Sequence, residues 1–185
     1  MATILDILGS MVIRGAIVLI MLSLNLSMHN ALYQKTQRLM VKQNLTVPSQ
    51  VFLSDLILAG YNATPSTTMQ TALPTEIQFL GDVDNNSVTE TVRYYLSAAA
   101  GTVPEHRILY RSINGSVSEV ARDIDSLTFL YYDASGVVTG TLANIRSVYV
   151  QFSMVSGYAL TNDVEQQEYE KAFWERLIVP PNLQL

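Results

Sequence analysis

ILDILGSMVIRGAIVLIMLSLNLSM, residues 4–28, decides how the chain is built. Ile, Leu, Met, Val and Ala are interrupted only by Gly9, Gly15, three serines, Asn25 and two charges, Asp6 and Arg14. At about 1.5 Å per residue, a helix of this length reaches roughly 37 Å, enough to cross a hydrocarbon core of about 30 Å. Beyond Met28 the character changes. Leu32, Leu39 and Leu45 keep a helical spacing, while Lys35, Arg38 and Lys42 cover the rest of the surface. Such a helix suits water or a partner, so the spacing predicts an apolar anchor running without a turn into an amphipathic stalk.

The stalk is expected to break or kink once, at Pro48, where Thr46 and Ser49 can cap the freed ends. It then resumes over 50–59, with Val51, Phe52, Leu53, Leu56 and Ile57 as its packing face, and stops at Gly60 as a C-terminal cap. Residues 61–74, rich in Thr, Ala and Pro, read as a loop. From Glu76 the period shortens towards two. Strands are expected over 77–80 and 90–98, joined by the polar turn 81–87. Two more, 107–113 and 116–121, flank Asn114-Gly115, a strong hairpin signal. Residues 127–132 form a further strand, with 137–141 pairing back onto it. Residues 146–155 alternate Val148, Val150, Phe152 and Met154 against polar neighbours, as a half-buried antiparallel strand does. The acidic segment 161–176 fits either a short helix or an ordered edge. Of the strand tyrosines Tyr94, Tyr95, Tyr131, Tyr132 and Tyr149, adjacent pairs must point to opposite faces, which places some of them in the core.

Composition narrows the function classes. Net charge is −5, and residues 61–185 hold seven basic against fourteen acidic side chains, a balance of −7 that will not seek nucleic-acid phosphates. The absence of cysteine removes disulfides, thiolate metal sites and cysteine nucleophiles together. His29 and His106 have no Ser or acid partner at motif spacing, and no phosphate-cradling glycine loop or HExxH occurs, so no catalytic residues and no cofactor are expected. One metal-like pattern exists. Asp82, Asp84 and Asn86 place oxygens at alternate positions as calcium loops do, but Arg93 fills the twelfth position where a Glu belongs. A plain hydrogen-bonded turn is the better reading, and no metal is expected.

Asp6 and Arg14 are the residues that composition does not explain. A charge inside an apolar span costs about 2.5–3.5 kcal/mol at mid-bilayer, so such residues usually have a partner and a purpose. Asp6 near the helix start is favoured by the macrodipole, and Arg14 can snorkel. Arg14 also lies about 12 Å along the axis and roughly 80° round from Asp6, which two staggered helices can bridge and one helix cannot.

The opening Ala2-Thr3-Ile4-Leu5-Asp6-Ile7 resembles the mature start of type IV pilin-like proteins, with Asp6 as the acidic fifth residue after Ala2. The set that follows is similar in order to the minor pilin and pseudopilin branch, PilW-like in particular. It comprises 54–62 (SDLILAGYN), 81–84 (GDVD), 91–96 (TVRYYL), 109–112 (LYRS), 120–124 (VARDI), 127–133 (LTFLYYD) and 145–148 (IRSV). The resemblance spans most of 1–152. It departs in lacking a basic leader ending in Gly before a Phe, in carrying Asp6 for Glu, and in placing Arg14 where the family is apolar.

The resemblance implies an α+β, pilin-like fold. A long N-terminal helix, membrane-spanning in its first half (1–28) and a stalk in its second (29–60), packs on an antiparallel β-sheet head (61–185). It further implies a structural subunit of a type IV pilus-like or secretion-pseudopilus filament. Ala2, Asp6 and Arg14 would serve assembly, with Asp6 against the terminal amine of a neighbour. The expected partners are identical or related subunits, the inner membrane before assembly, and the pilus assembly machinery. The head would be extracytoplasmic and then part of an extracellular filament, although Lys35, Arg38 and Lys42 follow the span and by the positive-inside tendency would hold that end in the cytoplasm. The alternative class is a non-polymerising, membrane-tethered binding module.

Overall fold

The computed structural model describes residues 2–64, 68–99, 101, 104–161 and 167–184, with backbone alone at 2–5, 160–161 and 167–168. Two compact units divide the chain, Met1–Gln37 and Arg38–Leu185. The fold is α+β: one long N-terminal helix followed by a seven-stranded antiparallel sheet.

Helix α1 runs Ala2–Ile57. Within its first unit it carries a run, up to Met28, that is apolar on all sides but for Asp6 and Arg14 and long enough to cross a membrane. In the second unit the pattern becomes one-sided, with Val41, Pro48, Ser49, Phe52, Asp55, Leu56 and Ala59 buried along a stripe at helical spacing. The break expected at Pro48 is absent, and the helix continues through it. Proline removes one backbone donor at a site where tertiary packing buries its ring beside Phe52, while the Ser49 hydroxyl donates to the Thr46 carbonyl at 2.8 Å. Ile57, expected on the packing face, is instead 42% exposed, and the charged Asp55 takes the inward position. Gly60 ends the helical turn with φ at +84°, as a C-terminal cap requires.

The sheet order is β1 (Met69–Leu73), β2 (Glu76–Gly81), β3 (Glu90–Leu96), β4 (Arg107–Ile113), β5 (Ser116–Tyr132), β6 (Ser147–Val155) and β9 (Lys171–Ile178). A two-residue pair, β7 (Leu160–Thr161) and β8 (Gln167–Glu168), lies between the last two. Neighbouring strands pair antiparallel throughout. Asn114 and Gly115 both take positive φ in the β4–β5 turn, as its sequence predicts.

Three readings of the sequence need correcting. The loop expected over 61–74 contains β1, a strand added to the edge that β2 would otherwise leave unpaired. The runs 116–121 and 127–132 are one strand. Asp123 at φ +59° and a register shift between Ile124 and Ser126 displace the alternation by a residue, so one bulged strand reads as two. Residues 137–141 do not form a returning strand and make only a single bridge, Tyr132 to Val138. Of the acidic segment 161–176, residues 162–166 lie outside the described residues, and the part from Lys171 onward is an edge: β9 pairs with β6 from Val148–Ile178 to Val155–Lys171.

Phe52 sits at the centre of the core. Its ring lies 4.5 Å from that of Tyr94, 5.9 Å from Phe129 and 5.7 Å from Phe152, so one helical side chain meets strands β3, β5 and β6. Tyr94 and Tyr131 are buried, whereas their neighbours Tyr95 and Tyr132 are half-buried on the opposite side, as alternation demands.

Candidate functional site

The apolar run of α1 is a surface whose chemistry calls for a partner. Large side chains such as Met11, Val12, Leu19 and Met21 are exposed on every side of it, and none of its 18-residue apolar window is buried. Water tolerates such a surface badly, whereas lipid or other helices accept it. Within the run the Ser10 hydroxyl donates to the Ile7 carbonyl at 2.9 Å, and just past its end His29 Nδ1 lies 3.2 Å from the Asn25 carbonyl. Asp6 and Arg14 are its two charges. Both are exposed, and neither is hydrogen-bonded or ion-paired among the described residues. The side chain of Ala2, the third residue expected to serve assembly, lies outside the described residues.

The polar turn after β2 gathers carboxylates in a set different from the one its spacing suggests. Ligand-capable oxygens of Asp82, Asp84 and Glu90 lie within 4.8 Å of one another. Asp82 is 0% and Glu90 4% exposed. Asn86 does not aim its side-chain oxygen at this group, because that oxygen accepts the Val88 N–H at 2.7 Å. Internal donors already hold the turn. Asp82 accepts from the Asn86 N–H at 3.0 Å, the Ser87 N–H at 2.9 Å and the Asn62 side-chain amide at 2.8 Å, and Glu90 accepts from the Val83 N–H at 3.0 Å. Asp82, Asp84 and Glu90 are the residues that could hold a hard cation. The N–H groups of the turn and the Asn62 amide already occupy part of that acceptor capacity.

A second polar arrangement escaped the sequence reading. Asp55 is 4% exposed. Its Oδ2 accepts from Arg111 Nε at 2.6 Å and from the Tyr94 hydroxyl at 2.6 Å, and its Oδ1 accepts from Arg111 Nη2 at 2.8 Å. Tyr94 and Arg111 are direct cross-strand partners on β3 and β4, so one register position supplies both donors. Burial, then the Asp55 charge, pushes the Tyr94 phenol well above its ordinary range. Burial opposes the Arg111 charge, but the hydrogen bond and charge of Asp55 outweigh it and hold the guanidinium above its usual value. This bidentate pair fastens α1 to the sheet. The available signal was Asp55 itself, a lone acid on the inward stripe between Phe52 and Ala59.

His106, which has no acid partner at motif spacing in the sequence, gains one in the fold: Asp123 Oδ1 lies 2.9 Å from Nδ1, brought there by the β5 bulge. On its other side the ring meets Tyr169 edge-on at 5.4 Å. Among the described residues no serine hydroxyl is hydrogen-bonded to His106.

Comparison with protein-family models, curated proteins and solved structures gave no match.

Proposed function

We propose that this protein is a structural, non-enzymatic subunit of a type IV pilus-like or type II secretion pseudopilus filament, assembled through its N-terminal helix. The observation that carries the reading is a membrane-length segment, apolar on all sides, in the same helix that forms the spine of an antiparallel sheet domain. The chain would wait in the inner membrane as a single-pass protein with its sheet domain extracytoplasmic. Its partners are identical or related subunits and the assembly machinery. Lipid tails are as apolar as leucine, so the transfer from membrane to filament is driven by close helix packing and polar pairing more than by removal from water. Asp6 and Arg14 then select alignment, because a charge left unpaired in a dry bundle penalises the wrong register. The order of the motifs from Ala2 to Val148, similar to the minor pilin and pseudopilin branch, supports the same reading.

The test is to shear cell-surface material, sediment it, and locate the protein by immunogold negative-stain microscopy. Asp6→Ala is expected to leave the sheet domain folded and to lower incorporation. Equal incorporation of mutant and wild type removes the role of Asp6. Recovery of the wild type only as a membrane-bound monomer favours the tethered binding module.

A further inference from the structure

From Asp6 to Gln34 the chain contains two formal charges, one of each sign. Asp6, Ser10 and Arg14 follow one another at intervals of four, which sets them on a single slanting row of the helix surface. The middle residue of the row is small, and its hydroxyl is already turned back onto the Ile7 carbonyl. Beside it, nothing lies within 4 Å of where a Cβ on Gly9 would stand, so another backbone can approach closely there. Asp6 and Arg14 are both exposed and make no bond among the described residues. Within one helix they are about 12 Å apart along the axis and roughly 80° apart around it, beyond closure by an aspartate and an arginine.

We infer that Arg14 of one copy is the counter-charge for Asp6 of the next, so that neighbouring helices pack parallel with a stagger of eight residues, about 12 Å. This rests on the filament reading given above. The argument is charge complementarity on an otherwise uncharged surface. Two copies in register set Asp6 against Asp6 and Arg14 against Arg14, which repel strongly where water is excluded. A shift of eight residues converts both repulsions into one Asp–Arg contact per neighbour, and the planar guanidinium can meet a carboxylate with two parallel hydrogen bonds. The occupant of this helix face is therefore a second copy of the chain.

The chain has no cysteine, so engineered thiols report contacts without background. With a stagger of eight, Ser10 of one copy lies beside Val18 of the next. Full-length Ser10→Cys and Val18→Cys copies, expressed together and oxidised within sheared filaments, are expected to form mixed disulfide dimers in preference to Ser10→Cys homodimers. Asp6→Arg and Arg14→Asp singly should each cut incorporation about tenfold or more, and the two together in one chain should restore most of it. Dominant Ser10→Cys homodimers overturn the stagger. Failure of the double reversal to recover, while wild-type protein still enters filaments, overturns the pairing and leaves the filament reading intact. Wild-type protein that never enters filaments overturns both.

Discussion

Replacing Asp55 with alanine removes the acceptor on which three hydrogen bonds converge, from Arg111 Nε, Arg111 Nη2 and the Tyr94 hydroxyl. The guanidinium and phenol are left facing a cavity beneath α1. Deleting one partner of a buried ion pair costs about 3–5 kcal/mol. The Arg111 side chain is 22% exposed and can recover some hydration, which sets the expected loss near the lower end, about 3 kcal/mol. For a unit of this size that corresponds to a fall in Tm of roughly 6–12 °C. The assay is thermal and urea unfolding of the full chain in detergent, followed by fluorescence of its single tryptophan, Trp174, whose ring packs 5.3 Å from Phe152. The double variant Asp55→Ala with Arg111→Met removes both charges and should lose clearly less than the single, since apolar replacement of a buried pair is often close to neutral. A loss under about 1 kcal/mol for Asp55→Ala, or a double variant no better than the single, refutes the claim that this pair fastens the helix.

Alkali should weaken the fold. Burial raises the Tyr94 and Tyr131 phenols, with Asp55 and Glu76 adding to it respectively, so both stay neutral in the native state after their unfolded counterparts ionise. Their contribution is complete below about pH 10 and declines above it by up to about 1.4 kcal/mol per pH unit for each tyrosine, whereas a flat urea midpoint between about pH 10 and 11.5 contradicts the assignment. A Cβ on Gly81 would collide with the Leu58 carbonyl oxygen, so Gly81→Ala should cost about 1–3 kcal/mol by forcing strand and helix end apart. Gly140→Ala, where nothing lies within 4 Å, is the control and should unfold like the wild type. In the polar turn, Asp82→Ala strands three donors and should cost about 2–3 kcal/mol. Because those donors already close the turn, millimolar calcium should leave the wild-type Tm unchanged. A calcium-dependent rise lost in Asp82→Ala would instead make Asp82, Asp84 and Glu90 a binding site.

The sequence by itself determined the features that depend on near neighbours. The apolar run 4–28 follows from additive hydropathy, the Gly60 stop and the Asn114-Gly115 hairpin from positive φ, and β6 from strict alternation. The long helix over an antiparallel sheet was therefore legible before any contact was known. Asp6 and Arg14 were legible too, as charges where composition allows almost none. Only the tertiary structure decided what depends on residues far apart in the chain. Pro48 stays helical because its surroundings bury it, and β1 exists because β2 offers it an edge. Asp55 meets Arg111 across 56 positions, and His106 meets Asp123 through a bulge that conceals the true length of β5. The physical reason is common to these cases. Propensity and periodicity are set within one or two turns of chain, whereas a buried polar group finds its partner by whichever strand the completed sheet places opposite it.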